Sequence, residues 1–527
     1  MMLGGAISLL FIISAFAQRP CVQKKFPGAR NNVVCVCNST YCDDIPSIGT
    51  FQSNEAVMFK SSLSGQRLAR SVITFGAKSS KAGNLNFKLD ASKQYQQMLG
   101  FGGAFTDATG INLNTLSSNV SKDIIRQYFS KENGLGYTIA RVPMASCDFS
   151  THEYSYDDIE NDFDLLNFNL TNEDMTLKIP YILQAQKFIS IDEKLKLFAS
   201  PWSAPAWMKT NGHMKGGGEL KGEKNGKYYQ TWSNYFLKFF EFYAKKSITF
   251  WGMTIQNEPS SGLDPLYKWQ TMALTAEMER DFLSQILGPA LRASNLTQNL
   301  KIMIYEDQRV GIKEYVDKVM KDPVAAKYVD GVAYHWYEDY LAKASVLTEV
   351  HNSFPSLFQL NTEACTGYLP FLGGVSLGDW SRGDQYIHSI IEDTQNFGSG
   401  WVDWNLCLNL QGGPNWVGNF VDAPIILSNT TNEYYKNPMF YALAHISTFV
   451  RPGSFRIQLL DSSGEQPTFP VEVVAFTNSQ SQRIVVLNNR EDSDHEISIE
   501  DAQRPGQMLT VKMEQHSMIT LIWNKSA

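Results

Sequence analysis

The sequence predicts an α/β protein: a (β/α)8 TIM barrel with a discontinuous β-sandwich domain and a small disulfide-bonded N-terminal β segment. Three observations carry this reading. Eight short apolar runs lie between about residues 97 and 407, each followed by polar turn residues and a helical pattern; strand-like segments flank that region on both sides; and four cysteines gather between residues 21 and 42. A chain of 527 residues with 43% hydrophobic and 19% charged residues can bury a large core, and its composition excludes collagen, a coiled coil and a disordered chain. The formal charge of −7 leaves no general basic surface for a phosphate backbone, so no nucleic-acid partner is expected.

Taken in order, Met1 to Ala17 is uncharged, carries an apolar run from Ile7 to Phe16 and ends in small residues before Gln18, the pattern of a signal peptide over 1–17. No other uncharged apolar stretch reaches the roughly 18 residues needed to span a membrane. Residues 18–47 hold Cys21, Cys35, Cys37 and Cys42. Of the three possible pairings, the one joining Cys35 to Cys37 across a single residue has poor geometry, and Cys21 with Cys35 plus Cys37 with Cys42 is the more local of the remaining two. Zinc is the competing reading, but no histidine stands near these thiols and an oxidising lumen favours disulfides. Six Asn-x-Ser/Thr sequons, at Asn38, Asn119, Asn169, Asn295, Asn429 and Asn524, suit the same compartment.

The sandwich is expected from residues 48–96 plus 452–527. Gly83 to Asp90 alternates with Leu85, Phe87 and Leu89 on one face, and Val471 to Phe476, Arg483 to Leu487, Met508 to Met513 and Ser517 to Trp523 are further strands. The barrel, residues 97–451, draws its strands from Gln97 to Gly103, Tyr137 to Pro143, Leu195 to Pro201, Phe250 to Asn257, Lys301 to Glu306, Gly331 to Trp336, Leu357 to Glu363, and Gly400 to Cys407. Most are continuous apolar runs, the mark of parallel strands covered on both faces. Between them, Tyr235 to Lys246 sets Phe236, Phe239, Phe240 and Tyr243 on one helical face. An open doubly wound sheet fits less well, because Gly100-Phe-Gly102-Gly103-Ala-Phe105 fails the dinucleotide fingerprint at its last position.

Barrel enzymes carry their chemistry where strands end. The fourth run ends Asn257-Glu258-Pro259 and the seventh ends Asn361-Thr362-Glu363, which sets two carboxylates across one mouth. Glycoside hydrolysis needs that pair: one carboxyl protonates the leaving oxygen while the other attacks or activates water. A lone strand-end glutamate is as readily a cap or a salt bridge, but aromatic residues gather at the same ends. Six of the 11 tryptophans, Trp202, Trp207, Trp269, Trp336, Trp404 and Trp416, fall there, suited to stack on sugar faces, with a third to a half expected to be ordinary core. No His-Glu-x-x-His or Gly-x-Ser-x-Gly pattern occurs, and a Cys365/His335 pair is the remaining, weaker nucleophile.

The stretches Gly100 to Asp107, Arg141 to Phe149, Ala199 to Trp207, Gln256 to Pro259, His335 to Tyr337, Glu363 to Cys365 and Gly412 to Asp422 together resemble glycoside hydrolase family 30, and within it the branch that cleaves glucosylceramide. The resemblance implies a retaining β-glucosidase of the lysosome lumen, also peripheral on its membrane or secreted. It implies a glycolipid substrate, a saposin-type activator, an anionic lipid surface and no cofactor. It marks Glu258 as acid/base and Glu363 as nucleophile. Asp148, Trp202, Asn257, Trp404 and Asn419 become sugar contacts, Arg141 and His335 orient the carboxylates, and Phe149, Tyr267, Trp269 and Tyr337 line the pocket and its entrance. The entrance loop Leu263 to Trp269 departs from the vertebrate pattern, which has Phe in place of Trp269.

Overall fold

The structure is a computed structural model that describes residues 19–26, 33–78, 84–190, 193–369 and 373–525; the expected signal peptide lies outside them. Eight parallel strands close into a barrel. They are β1 (Gly100–Ala104), β2 (Ile139–Met144), β3 (Lys196–Pro201), β4 (Gly252–Thr254), β5 (Lys301–Gln308), β6 (Gly331–His335), β7 (Phe358–Glu363) and β8 (Gly398–Asn405), each paired to the next, with β8 closing onto β1. Ile139, Phe198, Met303, Ala333, Leu360 and Val402 fill the interior. Where two backbones meet most closely a side chain has no room: a Cβ on Gly400 would lie 2.3 Å from the Gly100 carbonyl oxygen.

Each of the eight apolar runs overlaps a strand, but the bounds shift. Gln97 belongs to a long sandwich strand, Leu85–Gln97, and the first barrel strand starts only at Gly100. The fourth is cut to three residues, because beyond Thr254 the chain turns to deliver Asn257 and Glu258 to the mouth, their amides donating to Pro201 O (2.8 Å) and Glu306 O (2.9 Å). The aromatic helix is longer than read, Lys227–Ala244, with Phe236, Phe239, Phe240 and Tyr243 buried as expected.

The sandwich strands form one ten-strand order that draws on both flanks of the barrel, from Glu55–Ser62 to Ser517–Trp523, which pair with each other. Leu85–Gln97 joins its halves, antiparallel to Phe455–Leu460 and parallel to His495–Asp501. Phe87, Leu89, Val473, Val485, Leu521 and Trp523 form a second core. Helix Pro438–Ser447 lies at the seam, where the buried His445 meets Thr520 and Ser61 hydroxyls at 2.9 Å each. Disulfides join Cys21 to Cys35 and Cys37 to Cys42, which leaves no thiolates there for zinc. The strand Val33–Cys37 pairs with Glu433–Lys436, tying this segment to the chain beyond β8. Among the described residues no helix is long and apolar enough to cross a membrane.

Candidate active site

The C-terminal ends of the strands surround a cavity of about 420 Å³, within the range of small-ligand sites. Glu258 and Glu363 both line it, and a carboxylate oxygen of each lies within 4.8 Å of the other. Pro259 disfavours the right-handed helical region for the residue before it, and Glu258 takes a left-handed backbone (φ 42°, ψ 61°). Its Oε1 accepts from Gln308 Nε2 (2.8 Å) and lies 3.2 Å from His335 Nδ1, while its Oε2 accepts from the Tyr267 hydroxyl (3.1 Å). Across the cavity, Glu363 accepts from Arg141 Nη1 and from the Tyr337 hydroxyl (2.8 Å).

Beneath the pair lies a buried frame. Arg141 and His335 are wholly buried, and both bind the same oxygen of Glu306: Arg141 through Nη2, His335 through Nε2 at 3.1 Å. Arg141 Nη2 also donates to Asn257 Oδ1 (2.6 Å), and its guanidinium lies 4.7 Å from the Trp202 ring and 5.3 Å from that of Trp404. Those two indoles stack at 5.3 Å, with Phe149 edge-on to Trp404 at 6.0 Å. Asp148 accepts from Asn415 and Asn419, each at 3.1 Å. Tyr267 and Trp269 pack together at the entrance, 4.5 Å between centroids. All thirteen residues singled out from sequence therefore meet here, eleven on the cavity wall and Arg141 and His335 behind it.

The charges are set by that frame. Burial opposes protonation of His335, but the charge of Glu363 and the bonds to Glu258 and Glu306 outweigh it and raise the imidazole to about 10. Burial alone would raise Glu258, yet His335 and Tyr267 hold it below the usual carboxylate range; burial lifts Glu363 above its ordinary value despite His335 and Arg141. Burial, aided by the charge of Glu363, raises Asp148 to about 7. Two cations, Arg141 and His335, thus face three carboxyl groups, Glu258, Glu306 and Glu363.

The sequence reading missed several of these parts. Glu306 stood at the end of the fifth run, where the strand-end rule could have found it. Its inward turn comes from a bulge at which Tyr305 and Glu306 take φ of 81° and 58° and the pairing with β6 skips a residue, and no periodicity encodes that. Gln308 and Asn415 carried no signal of their own. Of the six tryptophans, Trp202, Trp269 and Trp404 line the cavity; Trp207, Trp336 and Trp416 instead donate their indole N–H to backbone oxygens of Asp157 and Cys147 or, for Trp336, Cys365. The Cys365/His335 pair does not form. Both His335 nitrogens face glutamates, and burial pushes the Cys365 thiol well above its ordinary value.

A closed parallel barrel that sets two carboxyl groups across an aromatic pocket defines a glycoside hydrolase. Comparison with known proteins narrows the class. The model for the glycosyl hydrolase family 30 TIM-barrel domain matches residues 98–450, and that for the family 30 β-sandwich domain matches residues 453–521. A Caenorhabditis elegans relative bearing a glucosylceramidase name is 46% identical and spans 99% of this chain and all of its own. The lysosomal acid glucosylceramidase of Mus musculus is 44% identical over 97% of each chain. Among solved structures, SrfJ from Salmonella typhimurium superposes with a TM-score of 0.80 at 27% identity, over 89% of this chain and 99% of its own. The chain belongs to glycoside hydrolase family 30.

Proposed function

We propose that this protein is a retaining β-glucosidase that hydrolyses glucosylceramide to glucose and ceramide in the lysosome lumen. The observation that carries the mechanism is the approach of Glu258 and Glu363 to within 4.8 Å. Retaining enzymes hold their carboxyls about 5 to 5.5 Å apart, whereas inverting ones leave roughly 6.5 to 9.5 Å for a water. Glu363 attacks the anomeric carbon, its negative charge favoured by the Arg141 and Tyr337 donors. The free site favours the proton on Glu363 over Glu258, so the step requires it to pass to Glu258, which hands it to the glycosidic oxygen as that bond breaks. Forming the glucosyl ester removes the negative charge of Glu363 that opposed ionisation of Glu258, so Glu258 stays ionised and serves as base for the incoming water.

In this reading Asp148, Asn257, Asn419 and the indoles of Trp202 and Trp404 hold the glucose, Arg141 and His335 orient the carboxylates, and Phe149, Tyr267, Trp269 and Tyr337 wall the pocket and its entrance. The ceramide half rests on the glucosylceramidase relatives. A saposin-type activator and an anionic lipid surface belong to the same proposal, as does the division into signal peptide (1–17), disulfide segment (18–47), sandwich (48–96 plus 452–527) and barrel (97–451). The test is proton NMR of the first sugar released from an aryl β-glucoside. The β-anomer is expected; the α-anomer overturns retention. A mechanism-based β-glucose epoxide should label Glu363, and fluorescent glucosylceramide in anionic micelles should outpace a xylo-oligosaccharide.

A further inference from the structure

We propose that a second groove, adjoining the catalytic pocket on the Glu258 side, seats a hydrocarbon chain of the leaving group; this rests on the glucosidase reading above. The groove has a volume of about 440 Å³ and shares Ser260, Asp307, Gln308 and Glu338 with the catalytic cavity, so the two spaces adjoin along one wall. Its position is the one the chemistry requires. The acid must face the oxygen it protonates, so the aglycone departs on the side of Glu258, away from the nucleophile.

The walls suit a chain better than a second sugar. Leu263, Leu274, Val310, Tyr305 and Tyr315 form them, and Leu263 and Val310 are 68% and 38% exposed, apolar surface that a bound chain would cover. Both tyrosines turn their hydroxyls to the backbone, Tyr305 to Val310 O (2.5 Å) and Tyr315 to Leu274 O (2.9 Å). These bonds occupy the hydroxyl protons that a glycan would otherwise use. At the junction, Gln308 donates Nε2 to Glu258, while its Oε1 is buried with no hydrogen-bond partner among the described residues. A buried acceptor left open beside the acid calls for a donor. An amide N–H or hydroxyl a few atoms beyond the glycosidic oxygen supplies one, with the chain continuing along the groove. Lys318 lies at the groove with Glu277 and Glu314, so this wall also carries charge.

The experiment is an alkyl β-glucoside series, butyl to octyl, assayed below micelle-forming concentrations. In the unmodified enzyme kcat/KM should rise with length, by up to about fourfold per buried methylene. In Val310→Trp, which fills the groove, and in the double variant Leu263→Asp with Val310→Asp, the slope should collapse. A slope is read within one preparation, so the folded fraction cancels. A slope unchanged in both variants, or one abolished only by Trp269→Ala at the entrance, overturns the groove and leaves the lipid substrate standing. A flat series in the unmodified enzyme, with aryl β-glucoside still turned over, overturns groove and lipid aglycone together. No turnover of any β-glucoside overturns the function on which both rest.

Discussion

Two of the barrel's buried ionic clusters differ in what lies beside them: one faces the cavity at the mouth and the other is closed by hydroxyls. At the mouth, Arg141 and His335 meet Glu258, Glu306 and Glu363 around about 420 Å³ of space. Farther round the wall, Lys178 lies 3.4 Å from Asp107 and 3.5 Å from Asp174, and its ammonium also donates to the carbonyls of Pro143 (3.2 Å) and Ala145 (3.0 Å). Hydroxyls close that second cluster: Ser150 and Tyr154 donate to Asp107, Tyr156 and Tyr243 to Asp174. Burial of charge is therefore no signature of a site. What separates the two is room beside the charges and a pair of carboxyls that face each other across it.

The largest effect should come from the pair itself. Glu363→Gln should lower kcat by more than about 10⁴-fold with the melting temperature little changed, whereas Asp174→Asn should do the reverse; equal loss of activity in both would break the distinction. Glu258→Gln should cost about 10²- to 10⁴-fold on poor leaving groups yet spare the first step for an activated aryl glucoside. Azide should rescue Glu258→Ala; no rescue would reverse the assignment of roles.

Removing either buried cation should cost about 3 to 5 kcal/mol of stability, because each leaves carboxylates without a counter-charge. Arg141→Met should also abolish turnover per folded molecule, while Lys178→Met should leave it within about twofold. Denaturant melts combined with active-site titration separate the two.

The smallest effect sharpens the comparison through histidine. His335 is raised to about 10 by its glutamates, but His445 has only hydroxyl partners and burial lowers it to about 3. A lowered base is protonated first in the unfolded chain, so the folded state loses stability as the pH falls from about 6.5 toward 3, by about 2 kcal/mol at pH 5. His445→Gln should shrink the stability drop between pH 7 and pH 5 by about that amount; an unchanged drop would show that the seam contributes nothing to acid sensitivity.

How much was legible follows the same divide. Strand order and the two carboxyls at the mouth were readable because apolar runs and their polar ends are local features. Glu306 was not, because its position depends on a bulge, nor was Gln308, whose partner Glu258 is distant in sequence. In the sandwich, Leu85, Phe87 and Leu89 announced their strand by alternation, but Phe455–Leu460 and His495–Asp501 were not singled out. The tryptophans show the limit plainly: their positions put six near the mouth, and only packing decided that Trp207 and Trp336 serve the core.

The pairing of Glu55–Ser62 with Ser517–Trp523 has a consequence for biosynthesis. The earlier strand leaves the ribosome with one of its partners still untranslated, and the whole barrel must be made before that partner arrives. Throughout elongation the nascent chain carries an open β edge. Chaperones that meet the nascent chain have that edge to guard, and a nonsense codon that removes Ser517–Trp523 would leave it exposed for good.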